Sequence, residues 1–148
     1  MGEWLIYNLY SIVENLKTEY ETRDPFKIAK GLGAIIVYVP LVHVGGFYQR
    51  YKDRDIIYIN QDLSEEEQLL YCAHELGHMI LHKNINSIFL DTDLHVKGIY
   101  EVEANVFAIQ LLQDDLNLNS EIPILNWSVN NYALKRRVYF TQKSITKT

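Results

Sequence analysis

From Trp4 to Tyr20 apolar side chains return every three or four positions: Trp4, Leu5, Leu9, Ile12, Val13, Leu16 and Tyr20. That spacing predicts an amphipathic helix over residues 3–22. Asp24-Pro25 supplies an N-cap and a proline at the first helical position, opening a short helix through Ala29 that Gly31 and Gly33 end. The pattern then changes. Ala34–Val39 is rich in β-branched residues and reads as a strand. Val42–Tyr51 reads as a second, with Gly45-Gly46 as a bend or bulge. Lys52-Asp53-Arg54-Asp55 is a polar turn, and Ile56–Asn60 forms a third strand. Connections this short make an antiparallel meander the simplest arrangement.

Helical periodicity returns after Ser64. Ser64 and Glu67 have the spacing of a capping box, with Ser64 as N-cap and Glu67 at N3, so a helix runs from there to about His82. Residues 84–98 carry weak patterning and read as a loop. Tyr100–Gln113 is a strongly apolar helix, Asn117–Pro123 a linker, Trp127–Tyr139 a last helix, and the polar stretch from about 141 a frayed tail. The expected fold is α+β. An N-terminal helix and a small three-stranded antiparallel sheet precede the His74–His78 helix, the Glu101 helix and a C-terminal helix, all in one domain over 1–148.

Composition narrows the function classes. Apolar residues make up 48% and charged residues 22% of 148, the balance of a globular domain rather than a disordered chain. A formal net charge of −5 argues against general phosphate binding, so no direct nucleic-acid contact is expected. Lys135, Arg136 and Arg137 could touch phosphate in a DNA-binding regulator, but the favourable dipole at a helix C-terminus explains the cluster equally well. Cys72 is the only cysteine, which removes internal disulfides and cysteine-rich zinc sites and fits a reducing cytoplasm. The longest apolar run, Ala34 to Val42, is broken by Pro40 and too short for a bilayer. Glu3 stands where a signal peptide would be basic, and Ile6 where a myristoylation motif wants Ser or Thr. These features predict a cytoplasmic protein.

The chemistry concentrates in YCAHELGHMILH, Tyr71 to His82. Residues four apart on a helix share a face, so His74 and His78 can direct two imidazole nitrogens at one ion. Glu75, one position on, can lie beside that ion and serve as a base. His-Glu-x-x-His on a helix is the signature of zinc peptidases. A core or surface helix that merely carries histidines is the bland alternative. His82 cannot share the ion with His74, because eight helical residues rise about 12 Å. It reads as a structural residue or a partner of the ligands. Leu81 and Asn84 occupy the positions where a metzincin needs Gly and His. A third ligand must come from YEVEANVFAIQLL, where Glu101 is favoured over Glu103. Asn105, one turn after Glu101, can hydrogen-bond a ligand histidine, the logic of glutamate-type zincins. His95 and Tyr100 are candidate oxyanion groups, Gly46-Phe47-Tyr48 can border the cleft and pair with an extended substrate, and His43 reads as a plain strand residue.

Together DPFKIAKGLG, GFY, IIYINQDLSEEEQ, HELGHMILH and EVEANVFAIQLL resemble the ImmA/IrrE family of metallopeptidases over roughly residues 25–112. The resemblance implies a zincin-like fold, His74 and His78 as metal ligands, Glu101 as the third ligand and Glu75 as the base. It also implies bound zinc, with manganese or iron as alternatives. The implied substrate is a cognate helix-turn-helix transcriptional repressor of a mobile element or prophage. The competing expectation is a module of the same fold that grips the repressor without cutting it.

Overall fold

The computed structural model describes residues 3–42, 44–83 and 94–113. Four helices and three strands are formed there: α1 (Glu3–Tyr20), α2 (Pro25–Gly31), β1 (Ile35–Val39), β2 (Gly46–Tyr51), β3 (Arg54–Asn60), α3 (Glu65–His82) and α4 (Leu94–Leu112). The class is α+β. The predicted linker at 117–123, the last helix at 127–139 and the tail from 141 lie outside the described residues, as does the 84–93 part of the predicted loop.

Local chemistry places most boundaries. The Asp24 side chain accepts from the Phe26 amide and Pro25 takes the first helical position, so α2 starts there. Lys52 and Asp53 both have positive φ, which closes β2 onto β3 through a two-residue turn with Tyr51 opposite Arg54. Arg54 and Asp55, expected in the turn, therefore already belong to β3. The last predicted helix boundary to move is that of α4. It begins at Leu94, not Tyr100, because Gly98, a poor helix former, breaks the apolar signal over its first turns.

The sheet is mixed, which corrects the expected antiparallel meander. The order is β1-β3-β2: β1 pairs with β3 in parallel and β2 with β3 antiparallel. The physical reason lies at the end of β3. β3 has the strongest apolar face, with Ile57 and Ile59 both 0% exposed, and takes the centre. The segment after β1 must then cross the end of β3 to reach its far side. Asn60 secures that crossing, donating from Nδ2 to the carbonyls of Leu41 (2.7 Å) and Val44 (3.1 Å). The Asn60 amide also donates to Gly45 O and the Gln61 amide to Val39 O. Pro40, just past β1, cannot extend the ladder.

α3 lies between the sheet and α4, touching β2 and β3 on one side, while α1 packs on α4 and α2 and α2 packs on α3 and β1. Leu9 and Val13 of α1, Ile28 of α2, Leu76 and Met79 of α3, and Phe107 and Leu111 of α4 build one core with β3. From Ala104 to Ile109 every residue of α4 is buried, so this stretch of the helix is enclosed on all sides, while Gly98 and Ile99 near its start are exposed. At the crossing of α3 and α4 a Cβ on Gly77 would stand 3.2 Å from the Ala104 backbone and 3.1 Å from Phe107. The missing side chain lets the two backbones approach, and this brings the acidic start of EVEANVF within reach of the α3 histidines.

Candidate metal centre

α3 is fixed at both ends before any ligand is considered. At its start the Ser64 hydroxyl accepts from the Glu67 amide (3.2 Å) and the Glu67 carboxylate accepts from the Ser64 amide (3.1 Å), the reciprocal box the sequence predicts. The Gln68 side chain adds a bond to the Asn60 carbonyl. Past its C-terminus Lys83 pairs with Asp55 of β3 at 3.0 Å. The histidine turns between these anchors are held by core contacts of Ala73, Leu76 and Met79.

His74 is fully buried and His78 partly exposed, its side chain 14% accessible, and their rings meet edge to face with centroids 4.7 Å apart. Glu101, from α4, spans them. Its Oε1 lies 3.1 Å from His74 Nε2 and its Oε2 lies 2.9 Å from His78 Nε2. One ligand atom from each of His74, His78 and Glu101 falls within 4.8 Å of the other two, a group that could hold a metal ion. Two imidazoles and one carboxylate are the donor set of catalytic rather than structural zinc, so the residues fit the ion that their spacing predicts.

Glu75 is 2% exposed and lies under the start of β2. A Cβ on Gly46 would stand 3.6 Å from Glu75 Cγ and 2.7 Å from the Tyr58 carbonyl. On Gly45 it would strike the Tyr71 ring at 2.6 Å. The glycine pair thus allows the strand to close over α3 beside Glu75. Gly46 is the residue of the Gly46-Phe47-Tyr48 segment that lies against Glu75.

The remaining predicted residues sort differently. Asn105 is fully buried, but its amide has no hydrogen-bond partner among the described residues, so the expected bond to a ligand histidine is not made there. His82 makes that bond instead: its Nδ1 lies 2.9 Å from His78 Nδ1, and its Nε2 lies 2.8 Å from Glu103 Oε1. Burial lowers the His82 pKa, against the opposing pull of Glu103. Tyr100 packs its ring on His82, with centroids 4.4 Å apart. His43 and the side chain of His95 fall outside the described residues. Sequence reasoning paired neither Glu103 nor Tyr100 with His82. The available signal was the third histidine of the 74-78-82 series, one turn beyond the ligand pair. Cys72 is buried among apolar residues, which pushes its thiol up and leaves it un-ionised.

A capped helix bearing two histidines and a glutamate, met by a glutamate from the next long helix, defines the class of glutamate-type metallopeptidase folds. The chain belongs to the IrrE N-terminal-like domain family, peptidase family M78, whose pattern matches residues 29–137. It is 37% identical over 105 residues to uncharacterized immunity region protein 2 of Bacillus phage phi105, covering 70% of this chain and 66% of that protein. It is 28% identical over 116 residues to metallopeptidase ImmA of Bacillus subtilis (strain 168), covering 76% and 68%. The match to the phage protein thus spans just under two thirds of that relative's length. No solved structure matches the chain. Among the described residues no helix is long and apolar enough to cross a membrane.

Proposed function

We propose that this chain is a zinc-dependent endopeptidase of the cytoplasm, acting as one domain on a helix-turn-helix transcriptional repressor of the prophage or mobile element it belongs to. The observation that carries this reading is the convergence of His74, His78 and Glu101 within 4.8 Å, with Glu75 buried alongside. The name of the phage relative, an immunity-region protein, and that of the ImmA relative support the repressor as the substrate class.

His74 and His78 would hold the ion through Nε2 and Glu101 through its carboxylate. When bound, the ion supplies Lewis acidity that polarises the scissile carbonyl and acidifies a water. Glu75 takes the proton from the attacking water and passes it to the nitrogen of the leaving amine. Among the described residues β2 pairs with β3 alone and lies next to Glu75, so its outer edge would receive the substrate as an added extended strand and line up the scissile bond.

The test is incubation of the purified protein with the repressor encoded beside it, with zinc and with zinc plus a chelator, followed by mass spectrometry of the products. Fragments that require the metal are expected. A stable complex with intact repressor in both conditions overturns the peptidase reading and leaves a binding module.

A further inference from the structure

We infer that His82 and Glu103 are positioning residues for the metal centre, orienting the His78 imidazole and fixing which of its nitrogens carries the proton. The inference rests on the reading of His74, His78 and Glu101 as metal ligands.

The argument is one of donors and acceptors. Glu103 Oε1 lies 2.8 Å from His82 Nε2, and an ionised carboxylate only accepts, so the proton of that contact sits on His82 Nε2. The two Nδ1 atoms of His78 and His82 are 2.9 Å apart, and a bond there requires one proton between them. With His82 protonated on Nε2, its Nδ1 offers a lone pair, and the proton belongs to His78 Nδ1. That tautomer leaves the His78 Nε2 lone pair for an ion between it and Glu101; without an ion, the contact to Glu101 Oε2 would itself call for a proton on Nε2. Nε2 is the atom facing Glu101, 2.9 Å from Oε2, on the side where the three ligand atoms gather. The opposite polarity would put the proton on His78 Nε2 and block it as a ligand. One direction of the chain, His78 to His82 to Glu103, is therefore the one compatible with an ion on His78 Nε2.

The chain is also held mechanically. The side chains of His82 and Glu103 are 4% and 13% exposed, so water competes weakly for either bond. The Tyr100 ring covers the His82 ring at a 38° tilt and limits its rotation. Histidine ligands whose second nitrogen donates to such a partner bind metal more tightly, because the ring is oriented and made more basic.

The experiment uses the full chain with His82→Phe, His82→Asn and Glu103→Gln substitutions. Phenylalanine keeps the ring volume against Tyr100 but accepts no hydrogen bond. Asparagine offers an amide oxygen to His78 Nδ1. Zinc affinity is measured by competition with a chromophoric chelator, the ligand field by the visible absorption of bound cobalt(II), and folding by thermal unfolding of the metal-free protein. Zinc affinity is expected to fall about tenfold to a hundredfold in His82→Phe, less in Glu103→Gln, and to recover in part in His82→Asn. The cobalt bands should shift in the order of the affinity losses. A folded His82→Phe protein with wild-type zinc affinity and cobalt spectrum overturns the inference. Should that variant fail to fold, the near-isosteric Glu103→Gln decides the matter by the same two readouts. Failure of the wild type itself to bind zinc or cobalt overturns the metal centre, and this inference with it, a result distinct from tight binding that ignores His82.

Discussion

Replacing one carboxylate oxygen of Glu75 with an amide nitrogen separates holding an ion from using it. Glu75→Gln keeps size and burial but cannot take up a proton. Cleavage is expected to fall by about a hundredfold or more while zinc stoichiometry stays at that of the wild type; parallel metal analysis and peptide-bond turnover check both. Glu101→Ala acts on the other property. It removes the carboxylate that bridges the two imidazoles, and metal content after dialysis should drop well below one ion per chain. At this scale the sequence was highly legible for α3. His74, Glu75 and His78 lie on one helix, and their spacing alone sets their geometry. Glu101 was legible as the favoured of two carboxylates, and which histidines each one meets depends on how α4 is rotated in its packing. That same rotation gives Glu103 to His82 and leaves the Asn105 amide without a partner among the described residues, neither of which any local pattern encodes.

Elements were readable where caps and turns act locally and less so where pairing is long-range. Ser64 with Glu67, and Asp24 with Pro25, placed the starts of α3 and α2, since each motif bonds within three residues of itself. The parallel partner of β1 is not legible in short connections, which favour neighbours along the chain, whereas Asn60 guides the chain past the end of β3 before β2 turns back. The turn between β2 and β3 carries two non-glycine residues in the left-handed region, Lys52 and Asp53. Exchanging them for Asn-Gly should relieve that cost and raise stability by about 1 kcal/mol, read as a higher urea midpoint with an unchanged slope. The seam between α3 and α4 predicts the reverse response. Gly77→Leu forces a side chain against the Ala104 backbone and Phe107, so it should destabilise by about 3 kcal/mol. It should also weaken zinc binding, because Glu101 moves off with α4; unfolding and chelator competition measured on one preparation would show both.

Across the whole molecule, one buried carboxylate joins the sheet to the far end of α3. Asp55 receives the Tyr48 hydroxyl at 2.5 Å, Arg50 Nη1 at 2.8 Å and Lys83 Nζ at 3.0 Å. Burial by itself would raise its pKa, but the hydrogen bonds from Tyr48, Lys83 and Arg50 outweigh that and hold the carboxyl below its ordinary 3.8. The same burial and the bond to Asp55 push the Tyr48 hydroxyl far above its usual range, so it remains a donor. A carboxyl with a depressed folded pKa contributes stability above the unfolded value of 3.8, and this is lost as pH falls through the folded value. Thermal scans from neutral pH down past 3.8 should therefore show an acid limb that Asp55→Asn flattens, with the variant less stable at neutral pH. What the sequence by itself determined is everything carried by neighbours along the chain: the capped helix, its paired histidines with Glu75 beside them, the short strands, and the absence of a cysteine framework. What only the tertiary structure decided is everything that needs two distant segments to meet: the parallel partner of β3, the approach of Glu101 to His74 and His78, and the His82–Glu103 pair beside them. The division follows from range. Hydrogen bonds and side-chain spacing within one turn are set by backbone geometry, whereas the approach of α4 to α3 is set by the packing of Gly77 on Ala104 and by the burial of α4 on all sides from Ala104 to Ile109.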